Sequence, residues 1–260
     1  MISLLVYPFL ACVLLVLIHV YFGVFVLRRG VIFIDLALAQ WAALGYLVGH
    51  WLDIEHAVGL FCMSFGFTMI ASLLLTVLKP LYSKVNLQEA VIGVMYILAS
   101  TIAVAIVSST GLEGHHLTDM LAGHLLFVQP EELILASSLY GGIVVLLLGL
   151  HKTFWLSSSG KWDFVFYILF GLVVTSSVKL VGLLLVFTFL VMPILSVVLY
   201  SNQFKHQLVF GWIIGILGSA IGLCAALWAD IPPSFTVILV LGGIWLINSI
   251  LHRVLKETSQ

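Results

Sequence analysis

The chain has 260 residues, of which 63% are hydrophobic and only 8% are charged, and its formal net charge is -1. Soluble globular domains carry roughly 25% charged residues, so the composition excludes an ordinary soluble enzyme and indicates a chain embedded in a lipid bilayer. A net charge near zero also gives no sign of nucleic acid as a partner.

Apolar stretches of about 20 residues, the length that crosses the hydrocarbon core, predict eight or nine transmembrane spans. The expected fold class is therefore all-α, a polytopic transmembrane helix bundle, in a single domain over residues 1–260. No Lys or Arg precedes Arg28, so the start lacks the basic region of a cleavable signal peptide, and the first helix is expected to stay in the mature chain. The nine stretches cover approximately residues 2–27, 31–52, 56–78, 88–109, 132–150, 162–178, 180–200, 208–229 and 233–251.

The segment from Gly111 to Pro130 is too long for a simple turn and too polar for a span. Its middle, HLTDMLAGHLLFV, predicts a short re-entrant helix, which is tolerable at membrane depth where other helices cover it. The segment carries His115, His116 and His124, which are candidate metal ligands because imidazole binds zinc, manganese and iron.

The eighth stretch contains four glycines arranged as two GxxxG pairs, Gly211 with Gly215 and Gly218 with Gly222. Such pairs allow the backbones of two membrane helices to approach closely. The pattern predicts a packing surface, either within one subunit or between two.

Basic residues are distributed unevenly between the two predicted faces of the membrane. If all nine stretches cross, nine of the ten Lys and Arg residues lie on one face, and Lys179 alone lies on the other. The positive-inside rule makes the basic face cytoplasmic, with the N-terminus outside and the C-terminus inside.

Asp35 lies inside the second stretch, in the sequence RRGVIFIDLALAQWAALG. A charge within a span is costly, so an intramembrane carboxylate is a functional candidate by default. Soluble-enzyme motifs are absent: Gly160-Lys161 lacks the earlier glycine of a phosphate-binding loop, and the chain has no HExxH, GxSxG or GxGxxG motif. The chain is therefore not expected to be an enzyme or to hydrolyse ATP alone.

Five stretches in order, RRGVIFIDLALAQWAALG, QEAVIGVMYILAS, LTDMLAGHLLFV, VKLVGLLLVFTFLVMPILSVVL and ADIPPSFTVILV, resemble the permease subunits of the zinc, manganese and iron ABC importers. The resemblance implies a homodimer in the cytoplasmic (inner) membrane of a bacterium. It also implies a transported divalent metal ion with no permanently bound cofactor, a separate cytoplasmic ABC ATPase subunit, and an extracytoplasmic metal-binding solute-capture protein.

This chain departs from the family at the site that the resemblance implies. The family places a histidine four positions after the aspartate, whereas here Ala39 follows Asp35 at that spacing and the nearest polar residue is Gln40. Five residues along a helix turn through about 500°, which leaves Asp35 and Gln40 roughly 140° apart unless a π-type turn intervenes. Alternatively His19, at a matching depth of roughly 10 to 14 Å from the inner boundary, completes the site. The predicted metal ligands are thus Asp35 with either His19 or Gln40.

A second departure concerns the connection before the sixth stretch, HKTFWLSSSGKW, which is shorter than the family's cytoplasmic loop that docks in an ATPase groove. Either another connection, KPLYSKVNLQ or SNQFKHQ, makes that contact, or the partner differs. Two other readings therefore stay open: a secondary cation transporter or channel without an ATPase, and a membrane enzyme or assembly factor.

Overall fold

The computed structural model describes residues 2–82, 87–110, 123, 125–156 and 160–258. Within these residues the chain forms nine α-helices and one 3₁₀ turn, and the described part contains no β-strand, which confirms the all-α prediction. The helices are α1 (Ile2–Arg29), α2 (Ile34–Trp51), α3 (Ala57–Tyr82), α4 (Gln88–Thr110), α5 (Pro130–Leu156), α6 (Gly160–Val181), α7 (Leu183–Val198), α8 (Phe204–Ala229) and α9 (Pro233–Thr258), and the 3₁₀ turn is Leu125–Phe127.

Each predicted span coincides with one of these helices. Seven of the described helices are long and apolar enough to cross a membrane. The other two are α2, whose 18 residues include Asp35 and Gln40, and α7, which has only 16 residues. The predicted re-entrant helix falls largely outside the described residues and stays a prediction.

Glycine and proline account for several helix ends. Gly30 follows α1 with φ of 64°, and Gly182 separates α6 from α7 with φ of 85°. Glycine adopts this left-handed region without the steric clash of a Cβ atom. Pro130 and Pro233 each occupy the first position of a helix, where the missing N–H removes no helical hydrogen bond.

The helices group into two compact units. Unit 1 contains residues 1–27, 122–137 and 180–260, and unit 2 contains residues 28–121 and 138–179. This division does not test the predicted single domain, which stays a prediction.

Within unit 1, the glycines of α8 are packed against neighbouring helices of the same chain. A Cβ built on Gly215 would lie 2.6 Å from Val16 Cγ1 of α1, and one on Gly222 would lie 2.6 Å from Val237 Cα of α9. Gly211 faces Val20 of α1 and Ile194 of α7, and Gly218 faces Leu241 of α9. The two GxxxG pairs therefore serve packing inside the subunit.

Within unit 2, α3 packs antiparallel to α2 through small residues. A Cβ on Gly45 would lie 2.6 Å from the Met63 carbonyl oxygen, and one on Gly49 would meet Leu60 at 3.0 Å. The backbones of the two helices thus approach more closely than any side chain larger than hydrogen would permit at Gly45.

Helix α4 runs parallel to α2 on another side. The indole Nε1 of Trp41 donates a hydrogen bond to the Met95 carbonyl at 3.1 Å. Further along both helices, a buried apolar cluster joins them, made of Leu44, Leu47, Ala99 and Ala103. Helix α2 thus packs against both α3 and α4, and 11 of its 18 residues are buried.

Helices α5 and α6 complete unit 2 through hydroxyl contacts. Thr68 of α3 and Thr175 of α6 are 3.1 Å apart at their Oγ1 atoms. The Tyr140 hydroxyl of α5 lies 2.8 Å from Ser177 Oγ of α6. Such interhelical hydrogen bonds hold polar side chains within a membrane bundle.

Candidate functional site

Asp35 lies in the first turn of α2 and is fully buried, with 0% of its surface exposed. Its Oδ1 accepts the backbone N–H of Leu36 at 2.8 Å. Its Oδ2 is also buried and has no hydrogen-bond partner among the described residues. Since most buried polar atoms are paired and an unpaired one costs free energy, this oxygen is a candidate for contact with a bound ion.

The start of α2 has no side-chain cap of its own. Instead, the carboxylate of Glu89, in the first turn of α4, accepts the backbone N–H of Ile32, and its other oxygen lies 3.5 Å from the amide nitrogen of Phe33. The turn that carries Asp35 is thus attached to a second helix by a side chain that the sequence did not point to.

His19 lies in α1, within unit 1, and is also fully buried. Its Nδ1 is 2.9 Å from the Leu15 carbonyl oxygen, four residues earlier. A carbonyl accepts only, so Nδ1 carries the proton and the neutral ring keeps a lone pair at Nε2. Nε2 is buried without a hydrogen-bond partner among the described residues, which is the state of an imidazole able to bind a metal ion.

Gln40 differs from both. It is half-buried, and α2 is a regular α-helix from Ile34 to Trp51 with no π-turn. Gln40 and Asp35 therefore point about 140° apart around the helix. The turn that would have brought Gln40 beside Asp35 does not occur in this structure.

The remaining predicted ligands, His115, His116 and His124, lie outside the described residues. Within the described part, no group of three or more His, Cys, Asp or Glu side chains is arranged to hold a metal ion. His19 belongs to unit 1 and Asp35 to unit 2. Their pairing as ligands of one ion stays a prediction.

Asp163 is a second buried carboxylate that the sequence interpretation overlooked. It lies in the first turn of α6 and is 1% exposed. Its Oδ1 is 2.7 Å from Arg29 Nη1 and its Oδ2 is 2.5 Å from Lys79 Nζ. The available signal was its position one residue inside the predicted sixth span, where a charge is costly.

A cleft opens beside this ion cluster in unit 2. Its walls are the beginnings of α2 and α4, the end of α3, and α6, and they are apolar apart from Lys79, Tyr82, Gln88 and Tyr167. Asp35 is not among the lining residues, although its neighbour Ile34 is. The carboxylate of Asp35 is therefore shielded from the cleft.

A bundle of apolar helices with buried, incompletely paired carboxylate and imidazole atoms is typical of membrane transport proteins. The family model described as the ABC 3 transport family matches residues 1–252. The chain belongs to the ABC 3 transport family.

Two solved structures have a similar fold. The structure of PsaBC from Streptococcus pneumoniae in complex with Fab is similar with a TM-score of 0.76 and 17% identity, covering 94% of this chain and 90% of that chain. An inward-facing putative metal-chelate type ABC transporter is similar with a TM-score of 0.67 and 17% identity, covering 92% of this chain and 85% of that chain. At this identity both comparisons show the fold.

The curated relative is a probable metal transport system membrane protein of Chlamydia trachomatis serovar D. It is 21% identical over 178 residues, which is 64% of this chain. The chain spans 61% of the length of that relative.

Proposed function

We propose that this chain is the permease subunit of an ATP-driven importer of divalent metal ions, with zinc or manganese as the first substrates to test and iron as the third. The observation that carries the proposal is the Asp35 carboxylate, buried in a membrane helix with one oxygen unpaired. Family membership and the name of the chlamydial relative support the same class of substrate. The chain itself carries out no chemical reaction in this proposal.

The proposed orientation is supported by the positions of basic residues at the helix ends of unit 2. Arg29, Lys79 and Asp163 meet where α1 and α3 end and where α6 begins. Lys152 and Lys161 lie at corresponding ends of α5 and α6, and Lys179 lies at the opposite end of α6. By the positive-inside rule the basic end is cytoplasmic, which leaves the N-terminus outside if all nine helices cross.

The proposed partners follow from this orientation. A second copy of the chain would complete a homodimer in the cytoplasmic membrane of a bacterium. An ABC ATPase subunit would bind the basic, cytoplasmic end and hydrolyse ATP, and a metal-binding solute-capture protein would deliver the ion outside. The observation behind all three is membership of the ABC 3 transport family.

One feature favours a second candidate function. Helix α5 ends at Leu156 and α6 begins at Gly160, so only residues 157–159 connect them. That connection is shorter than the ATPase-docking loop of the permeases that the sequence resembles. A secondary cation transporter or channel, which needs no ATPase, is therefore the alternative.

Uptake of radioactive zinc and manganese by whole cells tests the proposed site. We expect Asp35→Asn to abolish uptake while its abundance in the membrane stays near normal, because the change keeps the shape of the side chain and removes its charge. The matched control is Asp53→Asn, since Asp53 is exposed and has φ of 56°, a conformation that asparagine also accepts. Undiminished uptake by Asp35→Asn would remove Asp35 from the metal path.

Copurification separates the two candidate functions. The full chain, expressed with its neighbouring genes and extracted from membranes, is expected to carry an ATPase subunit, and depletion of cellular ATP is expected to stop uptake. Uptake that persists without ATP, in a complex with no nucleotide-binding subunit, would establish the secondary transporter instead.

A further inference from the structure

Glu89 is the side chain in unit 2 that connects another helix to the turn carrying Asp35. It lies in the first turn of α4 and is half-buried. Its Oε1 accepts the N–H of Ile32, and its Oε2 lies 3.5 Å from the amide nitrogen of Phe33. The first of these contacts is the stronger, since a distance of 3.5 Å is at the limit of hydrogen bonding.

The amides around the start of α2 show why this contact matters. The first N–H groups of a helix have no partner within the helix. Here the N–H of Ile34 is taken by the Val31 carbonyl at 3.2 Å and that of Leu36 by Asp35 Oδ1 at 2.8 Å. Glu89 Oε1 accepts the N–H of Ile32, and Glu89 Oε2 lies at the limit of hydrogen-bonding distance from the amide nitrogen of Phe33.

Asp35 therefore has two distinct oxygens. Oδ1 accepts the N–H of the next residue, Leu36, and Oδ2 has no hydrogen-bond partner among the described residues, so it is the atom available to a ligand. The contact between Oδ1 and the Leu36 amide ties the carboxylate to the backbone of the first turn of α2, so the direction of Oδ2 follows the orientation of that turn. A contact that stabilises the first turn of α2 therefore also orients Asp35 Oδ2.

Helix α4, which carries Glu89, is itself packed against α2. It runs parallel to α2, and the Trp41–Met95 hydrogen bond and the apolar cluster of Leu44 and Ala99 lie further along the same pair of helices. Glu89 is thus the first contact of a continuous α2–α4 seam. The rest of the seam positions the body of α2, and Glu89 positions its first turn.

We propose that Glu89 is a positioning residue for the transport site: by binding the backbone amides ahead of α2, it fixes the orientation of the Asp35 carboxylate toward a divalent cation. The proposal rests on the proposed function of Asp35. Groups that orient a metal ligand without touching the ion typically change metal affinity by about 10- to 100-fold when they are removed.

Three variants separate hydrogen bonding from charge. Glu89→Ala removes both acceptors. Glu89→Gln keeps the length and one acceptor oxygen but loses the charge, whereas Glu89→Asp keeps the charge but shortens the side chain by one methylene. If positioning is the role, Gln preserves function better than Asp.

The matched control is Glu132→Ala. Glu132 also lies in the first turn of a helix, α5, and its Oε2 accepts the N–H of Gln129 at 3.2 Å. The change removes a helix-capping carboxylate from a helix that carries no candidate metal ligand.

Two measurements on the full chain test the proposal. In whole cells, Glu89→Ala is expected to raise the half-saturating concentration for zinc or manganese uptake by about tenfold, with maximal uptake per molecule in the membrane within about twofold of the parent. In the protein reconstituted in lipid nanodiscs, hydrogen exchange of the amides of residues 30–37 is expected to accelerate. Glu132→Ala is expected to change neither quantity.

The measurements test the positioning role of Glu89 separately from the transport role of Asp35. Unchanged exchange at residues 30–37 in Glu89→Ala, or a half-saturating concentration equal to that of the parent, overturns the positioning role. If Glu89→Ala does not accumulate in the membrane, uptake by Glu89→Gln and Glu89→Asp tests the positioning role. Better uptake by Glu89→Asp than by Glu89→Gln overturns that role. Uptake that survives Asp35→Asn overturns the transport site itself, while the exchange measurement still reports whether Glu89 holds the turn.

Discussion

Asp35 and Asp163 are two buried carboxylates in the same unit, and their surroundings differ sharply. Each lies in the first turn of its helix and is almost inaccessible. Both oxygens of Asp163 face cations, Arg29 and Lys79, whereas one oxygen of Asp35 has no partner in the described part of the chain. Burial alone therefore does not distinguish a functional carboxylate from a structural one. The two carboxylates differ in whether cations of the protein pair with their oxygens.

The compensation around Asp163 extends beyond the ion pairs. The Arg29 guanidinium also lies 4.2 Å from the centre of the Phe166 ring and donates from Nη2 to the Phe154 carbonyl at 3.4 Å. One arginine thus joins the ends of α1 and α5 to the beginning of α6. This cluster is a structural junction, and the comparison with Asp35 predicts opposite responses to mutation.

The largest expected effect is on stability at Asp163. Asp163→Ala removes the carboxylate that pairs with two largely buried cations, which costs about 3–5 kcal/mol of the free energy of unfolding. Thermal unfolding in nanodiscs and abundance in the membrane measure it. Glu257→Ala is the control, since the Arg253–Glu257 pair is exposed and such pairs contribute little. Equal unfolding temperatures for Asp163→Ala and the parent would contradict the structural role that distinguishes Asp163 from Asp35.

A smaller effect is expected from Gly45→Ala, which asks whether packing also fixes the helix of Asp35. The new Cβ would lie 2.6 Å from the Met63 carbonyl, so α2 and α3 must separate, at a cost of about 1–3 kcal/mol. Gly66→Ala on α3 is the control, because open space surrounds its Cβ position. A matching loss of stability in both variants would mean that helix separation at Gly45 is not the cause.

The smallest effect on stability is expected at Asp35 itself. Asp35→Asn replaces an incompletely paired buried carboxylate by a neutral amide, so the free energy of unfolding should stay constant or rise by up to about 1 kcal/mol. The same thermal measurement compares it with Asp163→Asn, which is expected to destabilise. A loss at Asp35 as large as that at Asp163 would assign Asp35 to structure.

The helices were predictable because a membrane-spanning helix requires a long, continuous run of apolar residues, which is visible in the sequence. All nine predicted stretches correspond to helices, although the break between the sixth and seventh, expected near residue 179, falls at Gly182. Glycine periodicity in α8 indicated a packing surface, but the identity of the partner helices, α1 and α9, depends on tertiary contacts that spacing alone does not contain.

The candidate site was only partly predictable. Charge inside a span singled out Asp35, and an unpaired oxygen supports that choice. The roles of Glu89 and Asp163 were not predicted, because their partners are distant in the sequence. The amide of Ile32 is 57 residues from Glu89, and Arg29 is 134 residues from Asp163. Gln40 was named from its distance along the chain, and the regular helix turns it away from Asp35.

The position of α2 between α3 and α4 has a consequence for the order of biosynthesis. Helix α2 is not among the seven that are apolar enough to span a membrane by composition, and both helices that cover it follow it in the chain. A helix that is not apolar enough by composition, and that carries a carboxylate in its first turn, is released into lipid less readily than an apolar helix. We therefore expect α2 to remain beside the insertion machinery until α3 and α4 have been translated, so that the three helices enter the bilayer as one group.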